Sequence, residues 1–349
     1  MPETMLGLRI HGPNDLRLEE MPKPVPAADE VLVKIAAAGI CGTDIEVLAG
    51  THGALVRGVS HYPMIPAHEW SGHIAAVGSE VKHLQVGDLV AGETGIGCFH
   101  CALCLSGHHQ LCPHGTETGI VGRDGAMRQY HVQKADFVHK MPVDDPQLAA
   151  LVEPASVGVY TCHRTAISPL DRVCVVGGGA IGQLCLQAAR AFGARFTMMV
   201  TRSEPKLQLA RDLGADLAVS SAAVDIAKYA AEVTDGDLFD VVIEAAGTEP
   251  AFYDSLLVGG YTSRIGLVGL ANRTPFGFGL WTIIDREQTI IGVRGSPHVY
   301  PQTIEMLVSG KIDAKPLVSH RFKLDQYQEA FATATRGGAD VMKVLLEFE

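Results

Sequence analysis

The sequence has few charged residues and no long apolar run, and both features limit the classes of protein to which it can belong. Charged residues make up 19% of 349 residues, and the net charge is −11. The acidic surplus argues against a nucleic-acid partner or an anionic membrane surface. No uninterrupted apolar run reaches the roughly 20 residues of a membrane span, and the N-terminus has no basic and apolar leader. We therefore expect a cytoplasmic protein.

The composition favours a two-domain α/β enzyme. Hydrophobic residues account for 47% of the chain, and 38 residues are glycine. A chain of this size can bury two cores, and abundant glycine suits the tight turns of α/β folds. Cys162, Cys174 and Cys185 lie in apolar segments, so we expect them in a core, as suits a reducing compartment.

Four cysteines fall within fifteen residues: Cys98, Cys101, Cys104 and Cys112. Closely spaced thiols cannot easily pair with each other, but four thiolates can surround one tetrahedral Zn²⁺. Such a shell is closed to substrate, so the pattern predicts a structural zinc in a lobe over about 93–115. The alternative is a set of free core cysteines. Since the shell is already complete, we expect the neighbouring histidines at the surface: His100, His108, His109 and His114.

The pattern of apolar residues divides the chain into three parts. The first part has short strand patterns and no long helical one, which predicts a β-rich domain. In the second part strands alternate with helices, which predicts a parallel sheet with crossover helices. The third part predicts a helix over 301–309 and a strand-rich tail that returns to the first domain. The predicted strands are 30–37, 72–77, 89–92, 127–132, 172–176, 196–200, 241–245, 264–268 and 341–348, and the predicted helices of the second part are 181–192, 204–213 and 251–258.

A glycine motif in the second part predicts a dinucleotide site. Gly177, Gly179 and Gly182 form a G-x-G-x-x-G pattern that includes Ala180 and Ile181, follows an apolar run and opens a predicted helix. Glycines there allow the backbone to approach a pyrophosphate, which the helix N-terminus attracts. A plain glycine-rich turn is the alternative.

The end of the next predicted strand bears on the choice of nicotinamide cofactor. An NAD site usually has an acid there, whereas this chain has Thr201, Arg202 and Ser203. Two hydroxyls and a guanidinium suit a 2′-phosphate, so NADP(H) is favoured. If Arg202 is only a solvated loop residue, NAD(H) is also accepted.

Other potential metal ligands lie outside the cysteine lobe. Cys41 is followed by Gly-Thr-Asp, His68 and Glu69 lie further along the chain, and Glu153 precedes a proline. A lone cysteine or histidine is more often a core residue. The combination of a thiol, an imidazole and two carboxylates around a zinc lobe favours a second, catalytic metal site.

These motifs together resemble the zinc-dependent medium-chain dehydrogenase/reductase family, in its branch of sorbitol, glucose and threonine dehydrogenases. The resemblance covers nearly the whole chain and includes the segments Cys-Gly-Thr-Asp, His-Glu-Trp-Ser-Gly and Val-Glu-Pro. It implies a GroES-like catalytic domain formed by 1–155 and 293–349. It also implies a Rossmann domain with a doubly wound parallel sheet over 156–292.

The resemblance also implies roles for single residues. Cys41, His68 and Glu69 hold a catalytic zinc, which Glu153 joins by exchange or through a water. Thr43 accepts the proton of the substrate hydroxyl, and Asp44 orients His68. The chain then carries two zinc ions and transfers a hydride between a nicotinamide cofactor and a polyol, sugar or cyclitol. An acid at Glu153, where the alcohol dehydrogenase branch has cysteine, favours these substrates over simple alcohols.

Two alternatives remain open, and the chain departs from the family pattern at two positions. A zinc alcohol or aldehyde reductase would act on a less polar substrate, and a non-enzymatic NADPH-binding protein would hold one zinc. Ala67 replaces the usual glycine before the His-Glu pair, and Glu46 replaces a histidine of the proton relay. An apolar edge strand over 289–293 would pair two subunits in a homodimer or homotetramer.

Overall fold

The computed structural model describes residues 3–269 and 280–348, which belong to two compact units. The first unit comprises Met1–Glu153, Pro297–Val308 and Ala314–Glu349, and the second comprises Pro154–Ser296 and Ser309–Asp313. Each unit has its own apolar core. Within the described residues, no helix combines the length and the apolar character that crossing a bilayer requires.

The elements follow each other in the chain in this order. The strands are β1 (Thr4–Gly12), β2 (Asp15–Pro22), β3 (Glu30–Ile40), β4 (Glu69–Val77), β5 (Leu89–Gly92), β6 (Gly95–Ile96), β7 (Thr116–Thr118), β8 (Gly122–Arg123), β9 (Tyr130–Lys134), β10 (Val138–Lys140), β11 (Arg172–Val176), β12 (Phe196–Thr201), β13 (Leu217–Ser220), β14 (Phe239–Glu244), β15 (Gly259–Leu267), β16 (Thr289–Gly292), β17 (Val318–Lys323) and β18 (Lys343–Glu347). The helices are α1 (Gly42–Leu48), α2 (Gly53–Val56), α3 (Ala102–Leu105), α4 (Pro146–Ala150), α5 (Val152–Arg164), α6 (Ala180–Ala191), α7 (Glu204–Asp212), α8 (Ile226–Val233), α9 (Glu249–Val258), α10 (Trp281–Asp285), α11 (Tyr300–Val308) and α12 (Tyr327–Arg336).

The main sheet of the first unit brings three strand ends together. Its order is β10-β5-β4-β3-β18-β17, with β9 also pairing with β3. In the antiparallel pairs of β3, Gly39 lies opposite Glu69 of β4 and Ile40 lies opposite Val344 of β18. The end of β3 therefore lies between the beginnings of β4 and β18.

The second unit is built on a six-stranded parallel sheet with the order β13-β12-β11-β14-β15-β16. The chain runs outward from β11 in one direction and from β14 in the other, so the strand order reverses between these two strands. Ligands of doubly wound sheets bind outside the carboxyl ends of strands at such a point. The predicted combination of a β-rich unit with a doubly wound parallel sheet is confirmed.

Several elements escaped the sequence patterns. The β1–β2 hairpin, β13 and α8 were not predicted. β13 has only four residues and a short alternation, whereas α8 begins after Asp225, whose side chain accepts a hydrogen bond from the Lys228 amide. Helix α5 was missed because it is buried on most sides and mixes polar with apolar residues, which hides the helical period.

Candidate active site and metal centres

Cys41, His68 and Glu69 are brought together at the meeting point of the three strand ends. Cys41 directly follows β3, and Glu69 is the first residue of β4. One ligand atom from each of the three lies within 4.8 Å of the others, and His68 and Glu69 are buried. A Cβ on Gly39 would lie 2.2 Å from Glu69 Oε2, so glycine at 39 leaves room for this carboxylate. Thiol, imidazole and carboxylate are the ligand types of catalytic zinc sites.

Asp44 holds the backbone on both sides of this group. The Cys41 amide donates to Asp44 Oδ2 and the Ala67 amide donates to Asp44 Oδ1, each at 2.9 Å. No hydrogen bond runs from His68 to Asp44, which was expected to orient it, and His68 Nδ1 is buried without a hydrogen-bond partner among the described residues. Asp44 thus fixes the segments that carry Cys41 and His68, because its two oxygens are used by backbone amides. Thr43 is buried in the first turn of α1.

Lys343 is a site residue that the sequence analysis missed. Its Nζ lies 2.6 and 2.7 Å from the two oxygens of Glu69, and both side chains are buried. The two residues are 274 positions apart and meet because β18 pairs with β3. The only local signal is a lysine directly before a run of apolar residues in the last strand.

Glu153 lies beside the group but outside it. It occupies the first turn of α5, is 8% exposed, and its Oε1 accepts a hydrogen bond of 2.9 Å from Thr94 Oγ1. Among the described residues, the mutually close ligand atoms belong to Cys41, His68 and Glu69 alone at this place. Thr94 is therefore a second residue that the sequence analysis did not identify.

The charges of the protein groups make this site receptive to a cation. Burial raises the pKa of Asp44 and that of Glu153. Burial alone would lower the pKa of His68, but the nearby Cys41, Asp44 and Glu153 outweigh it and hold that pKa well above its usual range. The pKa of Lys343 is likewise raised, because Glu69, Cys41 and Glu153 outweigh its burial. The raised pKa values of His68 and Lys343 share one cause, a local surplus of negative charge, which a divalent cation would neutralise.

The four cysteines of the lobe also form a ligand group. Sγ of Cys98 lies 3.9 Å from that of Cys104, Sγ of Cys101 lies 3.7 Å from that of Cys112, and all four thiols are unpaired. A tetrahedron with Zn–S bonds of about 2.3 Å has S···S edges of about 3.8 Å. These distances are far too long for disulfides and fit the edges of a zinc tetrahedron.

One histidine of the lobe differs from the prediction. His100, His108 and His114 are exposed as expected, but His109 is buried. Its Nε2 lies 3.1 Å from Glu93 Oε2, and the other oxygen of Glu93 lies 2.8 Å from His139 Nε2. The expectation of a surface position for His109 was wrong, because the buried Glu93 requires partners for both of its oxygens.

The glycine motif of the second unit lies at the carboxyl end of β11. Gly177 has a φ of +120°, and a Cβ there would lie 2.6 Å from the Ala246 amide nitrogen. A Cβ on Gly182 would lie 1.8 Å from the Gly177 oxygen, whereas one on Gly179 would meet nothing within 4 Å. Two glycines thus permit the tight turn and close packing, and the third leaves open space before α6. Ala180 and Ile181 are the first two residues of α6.

The end of β12 lies next to this turn. A Cβ on Gly178 would contact the side chain of Thr201 and the Cβ of Lys206. Ser203 precedes α7, and its hydroxyl is buried without a hydrogen-bond partner among the described residues, while Arg202 is exposed. The structure therefore places Thr201 beside the glycine turn and adds Lys206, which the sequence analysis did not select.

Comparisons with known proteins agree with this architecture. Residues 27–143 match the family model of the alcohol dehydrogenase GroES-like domain, and residues 180–309 match that of zinc-binding dehydrogenases. The chain is 34% identical to a sorbitol dehydrogenase of Bacillus subtilis over 348 residues, which cover 99% of this chain and 98% of that protein. The chain belongs to the zinc-dependent medium-chain dehydrogenase/reductase family. The resemblance in the sequence and the expected GroES-like and Rossmann folds are thereby confirmed.

Two solved structures are similar over their full length. Galactitol-1-phosphate dehydrogenase from Escherichia coli is 28% identical, with a TM-score of 0.89 and coverage of 98% of this chain and 100% of that one. A protein from Sinorhizobium meliloti 1021 assigned as a zinc-binding dehydrogenase, solved with NADP, is 28% identical, with a TM-score of 0.92 and 99% coverage of both chains. The family is thus one of zinc- and nicotinamide-dependent enzymes.

Proposed function

We propose that the protein transfers a hydride between NADP(H) or NAD(H) and a secondary hydroxyl or ketone of a polyol, sugar or cyclitol. The observation that carries this proposal is the buried group of Cys41, His68 and Glu69 with a further carboxylate, Glu153, beside it. The similarity of the chain to a sorbitol dehydrogenase supports the proposed substrate class. A second carboxylate offers acceptors to a substrate that has several hydroxyls.

The residues of the first unit have distinct roles in this proposal. A zinc ion held by Cys41, His68 and Glu69 would supply Lewis acidity, which lowers the pKa of water from about 16 to about 7 and acts similarly on an alcohol. Lys343 fixes the Glu69 carboxylate, and Asp44 fixes the backbone of the other two ligands. The Thr43 hydroxyl takes up the proton of the substrate hydroxyl while it passes its own proton on toward solvent. Glu153, which lies outside the ligand group, would bind substrate hydroxyls.

The residues of the second unit bind the cofactor. The open space at Gly179 and the N-terminus of α6 receive the pyrophosphate, as in other sites of this kind. Thr201, Arg202 and Ser203 receive the adenosine ribose, and Lys206 adds a second cation beside them. Arg202 and the unpartnered Ser203 hydroxyl favour a 2′-phosphate, so NADP(H) is the proposed cofactor of choice.

Steady-state kinetics with a matched substrate panel tests the function. We expect polyols, sugars and cyclitols to be oxidised with a higher kcat/KM than 1-propanol or 2-butanol, and NADP⁺ to be preferred over NAD⁺. Simple alcohols as the better substrates would indicate the alternative alcohol reductase, and a folded, zinc-loaded protein that oxidises nothing in the panel would contradict the proposal. In the Arg202→Ala variant, KM for NADP⁺ should rise at least about tenfold while KM for NAD⁺ stays within about twofold, since only the former loses a phosphate contact.

We propose that the catalytic domain comprises 1–155 and 293–349 and the cofactor domain 156–292, that the subunits form a homodimer or homotetramer, and that the protein is cytoplasmic. The edge position of β16 and the exposure of Trp281 and Ile284 support subunit pairing, and eight unpaired cysteines suit a reducing compartment. Light scattering after size exclusion tests the assembly, and a monomer at micromolar concentration would contradict it.

A further inference from the structure

We propose that Thr94 is a positioning residue whose hydroxyl holds the Glu153 carboxylate aside from the Cys41–His68–Glu69 group. In this arrangement the coordination position that a substrate hydroxyl needs is not taken by Glu153. The consequence for substrate binding rests on the proposed function, whereas the consequence for metal binding does not.

The contact is direct and lies in a sheltered place. Thr94 Oγ1 donates to Glu153 Oε1 at 2.9 Å, and Glu153 is 8% exposed. A hydrogen bond in such surroundings is stronger than one exposed to water, because the local dielectric constant is low. The bond therefore fixes one oxygen of a side chain that otherwise has three rotatable bonds.

The backbone that carries Thr94 is itself fixed. The Glu93 amide donates to the Phe137 oxygen and the Thr118 amide donates to the Thr94 oxygen, each at 2.9 Å. Gln133 Nε2 donates to the Glu93 oxygen at 2.9 Å, and the Glu93 carboxylate contacts His109 and His139. Thr94 can act as a restraint because it is held from several sides by neighbouring segments.

The two glutamates of the site thus have separate partners. Glu69 belongs to the ligand group and both its oxygens contact Lys343, whereas Glu153 lies outside the group and contacts Thr94. A fourth protein ligand would close the shell, as in structural zinc sites, whereas catalytic sites keep one position open. Loss of the Thr94 hydroxyl would remove this restraint, so that the Glu153 carboxylate could move toward that position.

The test measures the release of zinc from the metal-loaded enzyme to a chromogenic chelator. In Thr94→Val the half-time for release of the catalytic zinc should rise at least about fivefold, because an extra carboxylate ligand holds the ion. The structural zinc gives a separate phase, which is identified with Cys41→Ser. In parallel, KM for the best polyol should rise by a similar factor while the thermal midpoint stays within a few degrees.

Matched variants keep the result interpretable. Thr94→Ser, which retains the hydroxyl, should release zinc at the rate of the wild type. If Thr94→Val does not fold, Thr94→Ala replaces it, and the same slowing of zinc release is expected. Thr4→Val removes a surface hydrogen bond to Glu20 and should change nothing. In a Glu153→Gln background, Thr94→Val should have no further effect on zinc release.

Unchanged or faster zinc release in both Thr94→Val and Thr94→Ala would overturn the proposal. An equally large slowing of zinc release by Thr94→Val in the Glu153→Gln background would overturn it as well. If no polyol is oxidised by the wild type but zinc release slows as expected, the role of Thr94 stands and the proposed function fails.

Discussion

At the scale of single residues, the candidate site depends on an ion pair that is almost completely buried. The side chains of Lys343 and Glu69 are 6% and 1% exposed. Removal of one partner of a buried pair leaves the other charge uncompensated, which typically costs about 3–5 kcal/mol. The same removal at the surface costs about 0–1 kcal/mol.

Without a bound metal ion, Lys343→Met should therefore lower the free energy of unfolding by roughly 3–5 kcal/mol. Urea denaturation followed by fluorescence of Trp70, which neighbours Glu69, measures it. Lys134→Met is the matched control, since its pair with Asp29 is half exposed on both sides. Equal losses of unfolding free energy in the two variants would show that the buried ion pair contributes no more to stability than the exposed one.

Ala67 is strained next to the candidate metal ligands. Its φ of +77° lies in the left-handed region that disfavours residues with a Cβ, and its amide is held by Asp44. Such a residue costs about 1–3 kcal/mol and persists only where its surroundings impose it. The departure from the family's usual glycine is therefore accommodated at an energetic cost.

Ala67→Gly should leave the free energy of unfolding unchanged or raise it by up to about 1 kcal/mol, because relief of strain offsets the lost methyl and the more flexible unfolded chain. At the exposed position 332 of helix α12, Ala332→Gly should lower the free energy of unfolding by about 1 kcal/mol. Chemical denaturation compares the two, and a loss at position 67 as large as that at 332 would speak against strain.

At the scale of elements, Glu93 ties the cysteine lobe to the main sheet of the first unit. Its oxygens contact His109 of the lobe and His139 of β10. Burial raises the pKa of Glu93, but the two histidines outweigh it and hold this pKa below its usual value. A lowered carboxyl pKa stabilises the fold above the unfolded value of about 4.5, and the contribution is lost as the pH falls through the folded value.

Glu93→Gln should lower stability at pH 7 by about 2–3 kcal/mol, since two charge-assisted hydrogen bonds are weakened. Below pH 4.5 its stability should converge on that of the wild type, because Glu93 is then increasingly protonated. Thermal melts between pH 3 and 7 measure this, with the exposed Glu80→Gln as control. A difference between wild type and Glu93→Gln that does not shrink on acidification would refute the role of the charged Glu93 carboxylate.

Local spacing predicted more of the site than long-range pairing could. The cysteine lobe, the glycine motif and the segments with Cys41 and His68 are short patterns whose chemistry is visible in the sequence. Lys343 could not be placed beside Glu69, because the pairing of β18 with β3 is set by the whole sheet. The contact of Thr94 with Glu153 could not be predicted for the same reason, since the two residues are 59 positions apart in the chain.

At the scale of the whole molecule, the chain carries two ligand groups with different chemistry. The cysteine group has four equivalent thiols, whose shell is complete without substrate. The Cys41 group has mixed ligands, a restrained neighbour in Glu153 and a local surplus of negative charge. The central claim is that an ion at the second group is required for polyol oxidation.

Removal and return of zinc tests this claim most directly. Metal analysis should give two zinc ions per chain in the wild type and one in Cys41→Ser. Brief dialysis against a chelator should remove the ion of the Cys41 group and abolish NADP⁺ reduction by polyols, while circular dichroism remains unchanged and added Zn²⁺ restores the rate. Continued polyol oxidation by a folded protein that has lost this ion would contradict the account.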